Sequence, residues 1–372
     1  MGDLATLSSP VLQSVYEGKK VFITGDTGFK GSWLSIWLNL LGAEVFGYAL
    51  DPKSEEDNFQ VCKLDNKINH LTGDVTDKNK LTEYMKKVKP EIVFHLAAQP
   101  LVLESYLNPV ETFKTNIMGT VNLLEAIRET DSVKCVVIIT TDKVYKNNEW
   151  QWGYRENDAL GGKDPYSASK AAVELVVDSY KHSFFNKNDS CKIVTVRAGN
   201  VIGGGDWAEN RIVPDFIRAV KNKENLLLRN PWHTRPWQHV LEPLGGYLLL
   251  AAKMFETKNE YGGAWNFGPA ADQEYCVKDL IERIIKSWGS GSFNYDNTNE
   301  KPFESSSLRL DISKAINSLK WKPVLNFDET VEFTVEGYKD EIESGNLFDK
   351  RAKQITSYMN IAKNKKIDWL FE

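Results

Sequence analysis

The sequence predicts an α/β fold: a Rossmann-like, doubly wound parallel sheet followed by a smaller C-terminal domain. Two observations support this prediction. Apolar runs rich in β-branched residues alternate with helical stretches in the first half of the chain, and a glycine-rich turn joins the first strand to the first helix. Near-continuous apolar strands are typical of parallel sheets that helices cover on both faces. We therefore predict a first domain over residues 1–199 and a second mainly over residues 200–372, with elements near 236–267 returning to the first.

Each predicted element ends at a recognisable turn signal. The first strand is KVFIT, residues 20–24, and the apolar helix GSWLSIWLNLLG follows the glycine turn and closes at Gly42. Further strands are predicted over residues 44–51, 91–99, 133–141 and 191–199. Further helices are predicted over residues 108–130, from Tyr166 onward, and near residues 211–222, 242–256 and 276–288.

Composition excludes several classes of protein. The 372 residues and 42% hydrophobic content are enough for one large or two fused domains. A net charge of -5 argues against a nucleic-acid partner, so an anionic ligand would need a local basic pocket. The four cysteines lack C-x-x-C spacing, which argues against a zinc site or a disulfide framework. With no signal peptide and no long apolar run, we expect a cytoplasmic protein without a membrane partner.

The turn GDTGFKG is the first motif that indicates a ligand. Three glycines between a strand and a helix permit a tight turn and let the backbone approach a pyrophosphate at the helix N-terminus. Asp51 follows at the end of the second strand, where a carboxylate can bind the ribose hydroxyls of an adenosine. This favours NAD over NADP, although Lys30 and Lys53 leave NADP open. Asp74 is either an adenine contact or a turn residue.

Two candidate proton-transfer pairs lie between residues 140 and 170. Tyr166 and Lys170 are four residues apart and share a helix face, so the ammonium could lower the phenol pKa from about 10. A phenolate could then take a proton from a substrate hydroxyl while hydride leaves the same carbon for nicotinamide. Thr141 adds a hydroxyl, and Asp142 with Lys143 forms the second pair. The alternative for Tyr166 and Lys170 is that they lie on the exposed start of a helix, and the alternative for Asp142 and Lys143 is that they belong to a solvated turn.

Longer motifs carry a family resemblance over about residues 18–340. TGDTGFKG, HLAAQP, TTDK, YSASK and RAGNVIGGGDW resemble the extended short-chain dehydrogenase/reductase superfamily. GFKGSWLS, EWQWGYREND, GGKDPYSASK and RPWQHVLEPL are similar to the CDP-glucose 4,6-dehydratases within it. The resemblance implies hydride transfer from C4 of the sugar to NAD, loss of water across C5 and C6, and hydride return to C6, for synthesis of deoxysugars and surface polysaccharides such as lipopolysaccharide.

The resemblance also implies a role for each candidate residue. Tyr166 would act at the C4 hydroxyl with Lys170 and Thr141, Asp142 would protonate the departing C6 hydroxyl, and Lys143 would remove the C5 proton. Lys143 would need a depressed pKa to act as a base. The predicted cofactor-binding residues are Gly25, Thr27, Gly28, Phe29, Lys30, Gly31, Asp51, Asp74, Val75, Leu96, Ala97, Ala98, Tyr166 and Lys170. The predicted substrate-binding residues are Gln99, Asn200, Arg211, Arg229 and Arg235.

The identity of the substrate stays open because of several tryptophans and of three residues that differ from the types usual in the family. Arginine forks match phosphate oxygens well, whereas each tryptophan could either stack on a pyrimidine or lie in the core. The tryptophans concerned are Trp207, Trp232, Trp237 and Trp265. Three residues depart from the family's usual types: Asp26 replaces His, Lys146 replaces Asp, and Leu103 replaces Arg.

Other functions remain open from the sequence. They are a dehydratase of another nucleotide-sugar, a 4-epimerase or reductase that would need only Tyr166, Lys170 and Thr141, and a non-catalytic dinucleotide-binding scaffold. The helices after Pro109 and Pro165 match those of the superfamily's dimer interface. We therefore expect a homodimer or a dimer of dimers.

Overall fold

The computed structural model describes residues 9–185, 191–257, 261–270, 273–296, 307–343 and 345–371. The strands are β1 (Lys20–Thr24), β2 (Glu44–Ala49), β3 (Asn69–Thr72), β4 (Ile92–His95), β5 (Cys135–Ile139), β6 (Lys192–Ala198), β7 (Val201–Ile202), β8 (Leu226–Leu228), β9 (Thr234–Arg235), β10 (Gln238–His239), β11 (Gly263–Phe267), β12 (Tyr275–Cys276) and β13 (Phe293–Tyr295). The α-helices are α1 (Pro10–Tyr16), α2 (Phe29–Leu40), α3 (Asn58–Val61), α4 (Lys78–Val88), α5 (Val102–Leu107), α6 (Pro109–Phe113), α7 (Gly119–Arg128), α8 (Pro165–Tyr180), α9 (Ile212–Asn222), α10 (Leu241–Glu256), α11 (Val277–Trp288), α12 (Ser313–Ser318), α13 (Phe327–Ile342) and α14 (Leu347–Asn364). Short 3-10 helices span Leu64–Asn66, Asp142–Val144 and Asp368–Leu370, and π-helical turns span Lys114–Met118 and Lys181–Phe185.

A seven-stranded parallel sheet forms the centre of the molecule. Its strand order is β11-β6-β5-β4-β1-β2-β3, and every neighbouring pair is parallel. The order reverses between β1 and β4, so a crevice opens at the carboxyl ends of these two strands, where α/β sheets bind ligands. The predicted Rossmann-like parallel sheet is confirmed. Strand β11 comes from the C-terminal half of the chain and pairs with β6 at the sheet edge.

Three apolar clusters hold the layers together. On one face of the sheet, Trp37 of α2 and Leu248 of α10 belong to the largest cluster, which also includes residues of α14. On the other face, Leu123 of α7 and Val173 of α8 pack with α4. A third cluster around Ile281 joins α9, α11 and α13. Within these described ranges, no helix combines the length and the apolar character needed to cross a membrane.

The predicted boundaries differ from the structure in physically simple ways. The strand predicted over residues 91–99 ends at His95, because the chain leaves the sheet at the crevice. The helix predicted over residues 108–130 is α6, a π-helical turn and α7 in succession. The β3 strand was not predicted, since its sequence NHLT is half-exposed and lacks an apolar run.

Candidate active site

Two loops meet at the crevice, one after β1 and one after β4. Gly25 adopts a φ of 79°, and a Cβ there would lie 2.7 Å from the Ala97 backbone nitrogen. A Cβ at Gly31 would lie 2.0 Å from the Gly25 carbonyl oxygen. Glycine is therefore required where the turn and α2 pack together. Gly28 is the N-cap of α2 and provides no side-chain cap, so no side chain of the N-cap satisfies the first N–H groups of the helix.

The residues around this turn fit a dinucleotide. The uncapped N-terminus of α2 can accept a pyrophosphate, and the exposed Asp51 directly beyond β2 can accept ribose hydroxyls. Thr27 donates to the Leu50 carbonyl at 2.9 Å and ties the turn to β2. The Asp74 carboxylate accepts from the Thr76 backbone N–H at 2.8 Å, as a turn residue does. Of the other predicted cofactor residues, Phe29 and Lys30 begin α2, Val75 is buried beside Gly119, and Leu96, Ala97 and Ala98 follow β4.

Lys30, at the start of α2, interacts electrostatically with the candidate catalytic residues Asp142 and Lys170. Its pKa is lowered to about 8, first by burial and then by the positive charges of Arg211 and Lys170, against the opposing effect of the Asp142 carboxylate. Its ammonium lies 6.0 Å from the centre of the Tyr247 ring. Lys30 therefore adds positive charge between the glycine turn and Asp142.

Tyr166, Lys170 and Thr141 come together at the carboxyl end of β5. Asp164 caps α8 by accepting from the Ser167 backbone N–H at 2.9 Å, and this fixes the first turn that carries Tyr166. The Lys170 ammonium is buried and donates to the Ile139 carbonyl at 3.0 Å. Both side chains thus lie within the protein rather than on an exposed helix face.

The pKa of Tyr166 moves in the direction opposite to the one expected from the Tyr-Lys spacing. Burial raises the Tyr166 pKa to about 12, although a hydrogen bond with Thr141 and the charge of Arg211 act to lower it. Burial also lowers the pKa of Lys170 to about 8, and the Glu174 carboxylate opposes this change. Desolvation therefore outweighs the neighbouring cations, and the phenol remains a proton donor at neutral pH.

Asp142 is a buried acid directly after β5. Thr141 caps the 3-10 turn Asp142–Val144, and its hydroxyl donates to the Asp142 carboxylate at 2.9 Å. Burial raises the pKa of Asp142, whereas Lys143, Thr141, Arg235 and Lys30 act to lower it. A raised pKa lets a carboxyl keep a proton close to neutral pH, as a general acid requires. Lys143 is partly buried in the same turn.

Two of the predicted substrate arginines approach these residues. Arg211 begins α9 and donates to Asp206 at 2.9 Å, and its charge acts on Tyr166. Arg235 is buried, and its charge acts on Asp142. They supply the local basic pocket that an acidic protein needs for an anionic ligand.

The other predicted substrate residues lie further along the crevice or on the surface. The Gln99 amide, after β4, donates to the Thr112 hydroxyl at 2.9 Å. The Asn200 backbone carbonyl accepts from the Gln238 backbone N–H at 3.1 Å. Arg229 follows β8 and is exposed. Among the tryptophans, Trp207, Trp237 and Trp265 are buried in the core, and Trp232 is exposed beneath the Lys278 ammonium.

A buried ion pair behind α8 was not predicted from the sequence. The Glu174 carboxylate accepts two bonds from Arg197, at Nε and Nη2, each 2.9 Å long. The hydroxyls of Thr140 and Thr195 each donate to the same carboxylate at 2.6 Å. Arg197 also donates to the Tyr145 hydroxyl at 2.8 Å. The only sequence signal is the presence of Thr and Arg within the otherwise apolar strand KIVTVRA.

A second unpredicted network links β1 to α8. His95 contacts the Thr24 hydroxyl at 2.6 Å and the Thr120 hydroxyl at 3.0 Å. Thr120 donates to the Asn116 carbonyl at 2.7 Å, and the Asn116 amide donates to Ser169 at 2.8 Å, between Tyr166 and Lys170 on α8. These bonds fix α8 against the crevice. No group of three metal-ligating side chains exists among the residues described above.

Comparisons with known proteins identify the family of the chain. A family model described as GDP-mannose 4,6 dehydratase matches residues 22–334. A CDP-glucose 4,6-dehydratase of Salmonella typhimurium is 44% identical over 353 residues, covering 94% of this chain and 98% of that protein. A dTDP-D-glucose 4,6-dehydratase of Dictyostelium discoideum is 25% identical and covers 87% of this chain and 82% of its own.

Solved structures show the same fold. A UDP-glucose 4-epimerase of Thermotoga maritima superposes with a TM-score of 0.76 at 23% identity, covering 87% of this chain and 100% of the other. A dTDP-glucose 4,6-dehydratase of Streptomyces venezuelae with NAD bound has a TM-score of 0.74 at 22% identity, covering 86% of this chain and 97% of the other. The chain belongs to the GDP-mannose 4,6 dehydratase family, within the extended short-chain dehydrogenase/reductase superfamily that its motifs resemble.

Proposed function

We propose that the chain is a nucleotide-sugar 4,6-dehydratase that uses NAD and converts CDP-D-glucose to CDP-4-dehydro-6-deoxy-D-glucose. One observation carries the proposal: a buried acid with a raised pKa, Asp142, adjoins the Thr141, Tyr166 and Lys170 set. Oxidation at C4 needs only the tyrosine set, whereas loss of water across C5 and C6 needs a further acid. The 44% identity to a CDP-glucose 4,6-dehydratase supports the choice of nucleotide and sugar.

The dinucleotide would lie across the crevice between β1 and β4. The N-terminus of α2 would bind its pyrophosphate, and Asp51 would bind the adenosine ribose. When bound, NAD accepts hydride from C4 of the sugar and returns it to C6. We assign residues 1–199, with β11, to dinucleotide binding and the rest of residues 200–372 to the nucleotide-sugar. Arg211 and Arg235 would pair with the sugar's diphosphate, with Gln99, Asn200 and Arg229 as further substrate contacts.

Proton transfers fall to the chain's own residues. Tyr166 would take the proton of the C4 hydroxyl once it has lost its own, and its hydrogen bond to Thr141 and the charge of Arg211 favour the phenolate. Asp142, whose pKa is raised by burial, would donate its proton to the departing C6 hydroxyl. Lys143, in the same turn as Asp142, would remove the C5 proton.

A competing function is a nucleotide-sugar 4-epimerase or reductase on the same fold. Neither reaction eliminates water, so the buried Asp142 would have no catalytic role in it. A dinucleotide-binding scaffold would leave the whole proton-transfer set without one, and a dehydratase of another nucleotide-sugar would differ only at the substrate. The substrate panel below separates these alternatives.

The test incubates the protein with NAD and, separately, with CDP-glucose, dTDP-glucose and GDP-mannose. Mass spectrometry should detect loss of one water from CDP-glucose. The Asp142→Asn variant should bind CDP-glucose but lose the water-releasing activity, while Asp158→Asn, at a half-buried turn carboxylate that accepts from the Arg155 backbone N–H, should behave as wild type. Conversion of CDP-glucose without a change in mass would contradict the dehydratase and favour the epimerase.

We further propose that the protein is a homodimer or a dimer of dimers. Large apolar side chains are exposed on neighbouring helices, among them Leu107 on α5, Val110 on α6 and Leu175 on α8. Exposed apolar surface of this kind marks an interface. Analytical ultracentrifugation at micromolar concentration should show a dimer, and Val110→Glu should shift it to monomer. A monomeric wild type would contradict this proposal.

We also propose a cytoplasmic location and a role in making deoxysugars for surface polysaccharide such as lipopolysaccharide. Four unpaired cysteine thiols, three of them buried, support a reducing compartment. Cell fractionation tests the location. Loss of the deoxysugar from the polysaccharide of a strain lacking the gene tests the role, and unchanged polysaccharide would contradict it.

A further inference from the structure

Asp26, which is buried in the glycine turn, pairs with His70, which is partly exposed. Asp26 follows Gly25 and is fully buried, and its Oδ2 lies 2.6 Å from His70 Nδ1 on β3. Gly47 of β2 lies between them, since a Cβ at that position would be 2.0 Å from the Asp26 carboxylate oxygen. The absence of a side chain at Gly47 is therefore what lets the carboxylate reach across β2.

The hydrogen bonds continue from this pair to the predicted ribose-binding carboxylate. His70 Nε2 lies 3.4 Å from the Thr72 hydroxyl, and this hydroxyl donates to Asp51 Oδ1 at 2.9 Å. Thr72 has one hydroxyl proton, so its oxygen can only accept from His70. Nε2 therefore carries a hydrogen, and Nδ1 is left to face Asp26.

One proton must lie between Nδ1 and Oδ2, because two lone pairs at 2.6 Å would repel each other. Burial raises the pKa of Asp26, and the hydrogen bond and charge of His70 lower it. While the shared proton is present, the pair has no net charge. Its loss leaves a buried carboxylate in the turn that would face a pyrophosphate.

Within the described ranges, the other groups around Asp26 and His70 supply no positive charge that could balance the carboxylate if the shared proton were lost. The ring of Phe59, beside α3, packs 5.1 Å from the His70 ring. Tyr84 approaches from α4, and burial together with the Asp26 charge raises its pKa to about 12. Tyr84 is therefore neutral at neutral pH. Asp51, at the far end of the hydrogen bonds that run through His70 and Thr72, adds a further negative charge.

We propose that His70, held by Asp26, is a positioning residue of the dinucleotide site: it orients Asp51 through Thr72, and the shared proton keeps the turn neutral toward the pyrophosphate. The ligand class is a dinucleotide with a free ribose 2′-hydroxyl. This inference rests on the proposed function, because it assumes that the turn binds NAD. His70 and Asp26 touch neither the substrate nor the reacting atoms.

The test is a calorimetric titration with NAD, NADP and ADP-ribose between pH 6 and about pH 9.5. Wild-type affinity for NAD should fall as the pH rises through the raised pKa of Asp26, and Asp26→Asn should remove this fall. Thr72→Val should weaken NAD binding about tenfold and narrow the preference for NAD over NADP. Thr72 is exposed, so the Thr72→Val variant should fold. His70→Asn interrupts the same series of hydrogen bonds at a second position.

The matched control is Thr82→Val on α4, whose hydroxyl donates only to its own helix at the Lys78 carbonyl. It should bind NAD as wild type does. NAD affinity in Thr72→Val, His70→Asn and Asp26→Asn within about twofold of wild type at every pH would overturn the positioning role. A wild-type protein that binds no NAD at any pH would instead overturn the proposed function and this inference with it.

Discussion

Removing the arginine of the ion pair behind α8 should destabilise the fold strongly. Arg197→Met deletes two of the four hydrogen bonds to the Glu174 carboxylate and leaves this buried carboxylate with only the hydroxyls of Thr140 and Thr195. Both members of the pair are almost fully buried, at 3% and 5% exposure. Breaking a buried pair by removing one partner costs about 3 to 5 kcal/mol.

This free energy converts to a measurable shift in melting temperature. An unfolding entropy of roughly 2.1 cal/mol/K per residue over 372 residues turns it into a loss of about 4 to 6 °C. Differential scanning calorimetry at fixed protein concentration measures it, with circular dichroism to confirm folding. The control is Arg218→Met, which breaks a half-exposed pair with Asp215 and should change stability by less than about 1 kcal/mol.

A second variant separates charge burial from packing. Glu174→Gln combined with Arg197→Met removes the uncompensated charge, so the double variant should regain more than half of the lost stability. An Arg197→Met protein that melts within about 1 °C of wild type would refute the reasoning. A double variant less stable than the single one would show that packing, and not the buried charge, dominates.

Three further predictions concern the turn, the catalytic tyrosine and a buried acid. Gly31→Ala places a Cβ 2.0 Å from the Gly25 carbonyl oxygen, so NAD affinity measured by calorimetry should fall more than about tenfold. In the control Gly28→Ala the Cβ lies 3.4 Å from the same oxygen, and this variant should keep the fold. Unchanged NAD affinity in Gly31→Ala would contradict the proposed dinucleotide site. Tyr166→Phe should lower kcat by roughly 10² to 10⁴ with NAD binding retained, and a kcat near wild type would exclude Tyr166 as the base. Burial raises the pKa of Glu242 from 4.5 to about 7, so the stability that its proton contributes is fully present below pH 4.5 and is lost as pH rises through 7. Glu242→Gln should flatten this slope in thermal melts between about pH 4.5 and 7, and equal slopes would show that Glu242 titrates normally.

The sequence predicted the central sheet because its strands are buried and apolar. Strand β1 was predicted at its observed bounds, and the strand predicted over residues 44–51 differs only at its end. Helices α4, α13 and α14 were not predicted. Strand β3 lies at the edge of the sheet and is only partly buried, so its composition resembles a loop. Local hydrophobic pattern therefore identifies central strands better than edge strands.

The candidate catalytic residues could be predicted to lie together because they are near one another in sequence. Thr141 and Asp142 follow one strand, and Tyr166 and Lys170 share one helical face, so spacing alone brings them to the same edge. The pair of Glu174 and Arg197 depends on the register between α8 and β6, which spacing does not reveal. The raised pKa of Tyr166 likewise depends on burial, which only the packed structure defines.

Partners that are distant in sequence account for the remaining unpredicted contacts. Asp26 meets His70 only because β2 and β3 pair in parallel and Gly47 leaves room between them. From the sequence, Asp26 was an unexplained carboxylate in a phosphate-binding turn. In the structure it has a hydrogen-bonded partner.

The most direct test of the dehydratase is its reaction with CDP-glucose and NAD in heavy water, followed by mass spectrometry and NMR of the product. Proton removal from C5, hydride return to C6 and protonation of C5 from solvent predict a 4-keto-6-deoxy product that has lost one water and carries one solvent deuteron, at C5. A product of unchanged mass in ordinary water, or one without deuterium at C5 in heavy water, would contradict the roles of Asp142 and Lys143 in elimination.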